Sequence, residues 1–121
     1  MKQIKILQVY NVTEELSAND NLSINAKWLL YKLRKDLIPH REFYIEEVNN
    51  LLSKFKVTVD GDKITFESEE KVKEYQSEQQ KIDDYDIDLK IEKKPIKLSE
   101  IPNISIKQIE QLEEFFEFEP E

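Results

Sequence analysis

The chain has 121 residues, no cysteine, one glycine and a formal net charge of −8. That length supports one domain with a modest core, and the lack of thiols excludes a disulfide framework and any thiolate metal site. A single glycine excludes phosphate loops and dinucleotide fingerprints, whose tight turns need several.

Residues 3–18 come first. Ile4 and Ile6 alternate as in a strand, but Ile6, Val9, Thr13 and Leu16 keep helical spacing, and Thr13-Glu14-Glu15-Leu16 continues a helix more naturally. Asn19-Asp20-Asn21 ends it, because these side chains bond local backbone. The next segment, Ile24 to Phe55, organises the chain. Leu30, Leu33, Leu37, Tyr44, Val48, Leu51 and Phe55 fall at steps of three and four, with His40 in the gap. They define one side of a helix roughly 45 Å long, capped by Ser23 or Asn25. Pro39 removes a backbone donor, so a kink or a short break is expected near Asp36–Ile38.

Lys56 to Phe66 alternates β-branched residues around Asp60-Gly61, the signature of a tight hairpin, with Val57, Val59, Ile64 and Phe66 expected to face a core. Ser68 caps a helix through Ile82 whose apolar stripe is thin, which places it on the surface. Tyr85 to Glu92 alternates apolar and charged residues without a fault, predicting a third strand, and Pro95 ends it or marks an edge. Ile96–Ile101 is expected to be extended or irregular. Ser105 and Gln108 form a capping box, with Ile104 stapled to Ile109, for a last helix from Ser105 to Phe118. The predicted fold class is α+β in a single domain spanning 1–121. An antiparallel helical layer packs on a small antiparallel sheet, with a capped C-terminal helix.

Charge divides the chain. Residues 1–56 carry nine Lys/Arg and seven Asp/Glu, whereas 57–121 carry nine and nineteen. The acidic second half repels phosphate backbones, so nucleic acid is not an expected partner. Lys27, Lys32, Arg34 and Lys35 form a local basic cluster, read here as a solvated helix face. Gln3, Lys5, Gln8 and Asn11 interrupt any signal-peptide core, and no run approaches the roughly 18 apolar residues of a membrane span. The expected location is a host cytoplasm or an assembly built there, such as a virion.

No nucleophile–base pair stands out, and His40, on the apolar stripe, reads as a core or boundary histidine. Asp84-Tyr85-Asp86-Ile87-Asp88 resembles the opening of a calcium loop, but position six is Leu89 and position twelve is Pro95, so no metal site and no cofactor are expected. Phe115, Phe116 and Phe118 crowd the end of the chain among Glu113, Glu114 and Glu117. Around a helix they cannot share one narrow face, since 115 and 116 differ by about 100°. At least one is therefore expected to be exposed, forming a partner or self-association surface with an acidic rim.

The order of motifs is similar to a family of short, functionally uncharacterised proteins encoded by phages and prophages of Gram-positive bacteria. The carrying residues are Val9-Tyr10-Asn11-Val12-Thr13-Glu14-Glu15-Leu16 and Leu22-Ser23-Ile24-Asn25-Ala26-Lys27. Ile87-Asp88-Leu89-Lys90-Ile91 and Pro95 through Ile101, followed by Ile104-Ser105, complete the likeness. Pro39 departs from the family's long helix. The resemblance implies a phage origin and brings no catalytic residues. The expected function is a small phage accessory or structural protein acting by protein–protein binding, without catalysis. An acidic inhibitor of a host defence system is the alternative, and a small hydrolase using acid pairs a weaker one.

Overall fold

A computed structural model describes residues 1–120. Its longest element is α2 (Ile24–Ser53), flanked in sequence by α1 (Gln3–Ser17) and by a hairpin of β1 (Val57–Asp60) and β2 (Lys63–Phe66). Then come α3 (Glu69–Asp83), β3 (Lys94–Lys97), a 3-10 turn at Leu98–Glu100, α4 (Ile106–Leu112) and β4 (Phe116–Glu119). The class is α+β, as the periodicities predicted.

The helical layer follows its stripes. Ile6, Val9, Thr13 and Leu16 of α1 meet Ala26, Leu30, Leu33 and Leu37 of α2, all buried. Ser23 caps α2 by accepting from the Ala26 amide at 2.9 Å, and Asn19 shapes the α1–α2 turn by accepting from the Asn21 amide at 2.9 Å. Helix α2 runs through Pro39 without interruption. The carbonyl that the proline leaves without a helical donor belongs to exposed Lys35, where water can satisfy it. Tyr44 and Leu51 are buried as expected, whereas Val48 and Phe55 are half-buried, since the main core ends before them.

The sheet differs from the prediction in three ways. There is no third strand at 85–92: that segment makes one bridge, Lys2 with Asp86, and the Ile87 amide donates to the Met1 carbonyl at 2.8 Å. Its alternation holds only in the middle: Ile87 and Leu89 turn inward and Asp88 and Lys90 outward, whereas Tyr85 and Ile91, expected on the inner side, are exposed. Alternation reports which side is wet and says nothing about pairing. Second, the hairpin stands apart from the main core, with Val59 64% exposed and Ile64 also exposed. Only its base is anchored, through Phe66 against Phe55 and Tyr75 at ring-centroid distances of 6.1 and 5.1 Å. Gly61, at φ +62°, takes the first turn position, where a two-residue hairpin loop with one positive φ needs glycine.

Third, the last helix stops at Leu112. Its capping box forms as predicted, Gln108 amide to Ser105 Oγ at 3.1 Å and Ser105 amide to Gln108 Oε1 at 2.9 Å. Residues 116–119 then become β4, parallel to β3, with Ile96 opposite Phe118 and Pro95 opposite Glu117. Pro95 thus lies inside a strand of a two-stranded ribbon, where every strand is an edge and a missing donor is tolerated. The crossover of residues 98–115 contains α4, as a parallel connection requires.

Candidate functional site

The C-terminal residues singled out from sequence are brought together, but in a different arrangement. Phe115 and Phe116 are 8% and 3% exposed, and Phe118 is half-buried against the same core. The expectation of an exposed phenylalanine in the monomer is therefore corrected. On a strand, 116 and 118 share a face, so both rings turn inward, 6.2 Å apart and edge-on. Glu113, Glu114, Glu117 and Glu119 remain exposed. What surface Phe115 and Phe116 retain lies in a groove of about 270 Å³ between α2 and residues 89–94.

A second concavity of about 260 Å³ lies between α2 and α3, where Gln3, Phe43 and Tyr85 meet Lys54 and Lys81. The Gln3 side chain donates to the Ile82 carbonyl at 2.9 Å, while its Oε1 has no protein partner. Also between α2 and α3, the Tyr44 hydroxyl donates to Asp83 Oδ1 at 2.6 Å. Burial, reinforced by that carboxylate, pushes the Tyr44 phenol up to about 12, and burial also raises Tyr75. Among the described residues no group of acidic or histidine side chains is arranged to hold a metal ion. His40 is half-buried on the side of α2 facing the core, as expected.

Across the molecule, Glu100 joins two element starts. Its carboxylate accepts from the Lys97 amide at 2.9 Å and from Asn25 and Ser23 at 3.0 Å each, and these bonds, the Lys97 amide foremost, hold its carboxyl below the usual range. This clamp fixes the N-terminal end of α2.

The outer side of α2 carries the feature that the sequence analysis missed. Ile24, Trp28, Tyr31, Lys35, Ile38, Glu42 and Ile45 follow one another at steps of four and three, and all are exposed. At about 100° per residue this second stripe lies roughly 140° around the helix from the buried one. Ile24, Trp28 and Tyr31 are 80, 56 and 52% exposed. The Trp28 and Tyr31 rings stack, centroids 5.7 Å apart and 25° from parallel. Lys32 Nζ sits 5.8 Å from the Trp28 ring and Lys35 Nζ 5.7 Å from the Tyr31 ring. These i,i+4 cation–π contacts hold the rings against the helix, which lowers the side-chain entropy lost when another surface covers them. By contrast, Arg34 and Arg41 lie over Tyr10 of α1 and belong to the α1–α2 contact.

No family model, curated protein or solved structure matches the chain. The site is thus defined by its own chemistry: a rigid aromatic pair, aliphatic flanks and lysines, displayed on a helix whose other side is locked into the core. The signal was in the sequence as a second run of three- and four-residue steps on the same helix. Also, no helix among the described residues is long and apolar enough to cross a membrane.

Proposed function

We propose that the protein acts by protein–protein binding, without catalysis, as a small accessory or structural component of a phage particle or its assembly. One observation carries the binding part: the solvent-exposed Trp28–Tyr31 stack on the outer side of α2. Large apolar groups side by side in water are unfavourable in a monomer and have the composition of interface hot spots. The phage setting is supported by the likeness of the motifs at 9–16, 22–27 and 87–105 to the family of short phage and prophage proteins.

The double variant Trp28→Ser, Tyr31→Ser tests it. Both side chains are exposed, so each change should cost within about 0.5 kcal/mol and leave the melting temperature nearly unchanged. Association, read by sedimentation and by capture from infected cells, should be lost. A wild-type chain that stays monomeric and captures nothing from infected lysate would overturn the reading. The exposed Glu113, Glu114, Glu117 and Glu119 support a second reading, an acidic inhibitor of a host defence system. Replacing them by lysine would abolish such inhibition, and an unchanged effect would remove that reading.

A further inference from the structure

The outer stripe of α2 is ordered by charge as well as by hydrophobicity. Its N-terminal half carries exposed Lys27, Lys32 and Lys35, and its C-terminal half carries exposed Glu42 and Glu46. Two such stripes laid parallel would set like charges side by side, whereas laid antiparallel they set opposite charges together. The four–three spacing from Ile24 to Ile45 is that of a helix–helix seam, about 33 Å long.

Resting on the reading that this face binds protein, we infer that its partner is a second copy of the chain, docked through antiparallel pairing of the two α2 helices about a two-fold axis between residues 36 and 37. The charges fix the register. Lys32 of one copy comes beside Glu42 and Glu46 of the other, on the same flank of the seam. Trp28 then packs on Ile45 of the second copy, Tyr31 lies beside Glu42, and the Lys35 stem crosses Ile38. Each contact is made twice, as a two-fold interface demands. A seam of this size is at the lower end of stable interfaces, and the net charge of −8 on each copy opposes association. The dimer is accordingly concentration-dependent.

Sedimentation equilibrium of the full chain tests this, with Trp28 emission as a second readout. The only tryptophan is exposed in the monomer, so its emission should shift to the blue with the same concentration dependence as the mass. Lys32→Glu should weaken the dimer by about tenfold or more. Adding Glu42→Lys and Glu46→Lys should restore it, with circular dichroism confirming the fold throughout. The absence of native cysteine allows a single spin label at exposed Asn50→Cys, off the seam. Antiparallel pairing places the two labels on the order of 40 Å apart, and parallel pairing on the order of 10 Å. A monomer at every concentration, a short label separation or no rescue by the threefold variant each overturns the inference. If the chain is monomeric yet loses a captured partner with the Trp28→Ser, Tyr31→Ser change, self-pairing fails and protein binding through this face stands. If nothing is captured either, both fail.

Discussion

Replacing Phe116 by serine separates a core role for the C-terminal phenylalanines from a docking role. Phe116 is almost fully buried on the inner face of β4, against Phe118. Truncating a buried phenylalanine costs about 3–5 kcal/mol, and a serine hydroxyl left without a partner there adds about 1–3 kcal/mol. A total near 5 kcal/mol is a large part of the roughly 5–15 kcal/mol that holds a domain of this kind together. At about 4 °C per kcal/mol, the melting temperature should fall by about 20 °C. Urea titration should be followed by circular dichroism at 222 nm, since α2 dominates the helical signal. Tryptophan fluorescence would respond poorly, because Trp28 is already in water. The neighbouring Glu117→Ser, on the exposed face of the same strand, should change stability by less than about 0.5 kcal/mol. A loss below about 1 kcal/mol for Phe116→Ser would refute the strand assignment's burial and return the chain end to the list of docking surfaces.

Leu37→Ala, at the centre of the α1–α2 contact, should cost about 2–5 kcal/mol in the same titration. Gly61→Ala meets no atom within 4 Å, so its cost is backbone strain at φ +62°, about 1–2 kcal/mol. That strain should appear as faster amide exchange across 57–66, with little change in the global midpoint. Tyr44→Phe changes the alkaline limb of stability. A phenol raised in the folded state contributes stability that is fully present below pH 10 and is lost as pH rises through about 12. Thermal unfolding between pH 9 and 12 should therefore be flatter for Tyr44→Phe than for the wild type.

The parts of the fold that are local in sequence were legible. The α1 and α2 stripes, the Asp60-Gly61 hairpin and the caps at Ser23, Ser68 and Ser105 each depend on residues within a few positions of one another. What escaped depends on distant partners. Nothing near Phe116 announces that Lys94 lies opposite it, because the two are joined by a crossover of 18 residues from 98 to 115. Read as a helix, 115–118 must expose a ring; read as a strand, it need not. The alternation of Tyr85–Glu92 placed Ile87 and Leu89 correctly but not Tyr85 and Ile91, and it gave the wrong neighbour, since the segment lies over the helices without a ladder. The outer stripe of α2 was hidden by the inner one, because Leu30, Leu33 and Leu37 already account for the helix.

The small aromatic group of Phe55, Phe66 and Tyr75 implies a graded response to denaturant. It lies beyond the end of the main core, and it fastens the hairpin and α3, an element with no buried residue, to the last turns of α2. Beyond the Gln3–Ile82 and Tyr44–Asp83 bonds, these two elements contribute no residue to the main apolar cluster, so their release leaves that cluster almost untouched. Unfolding should then proceed in two cooperative units, with amides of 57–83 exchanging through a low-energy opening and those of 6–16 and 26–37 only through global unfolding. Calorimetry would register this as a van't Hoff enthalpy smaller than the calorimetric one. Helix α2 would belong to both units, its far end fraying while its near end stays closed.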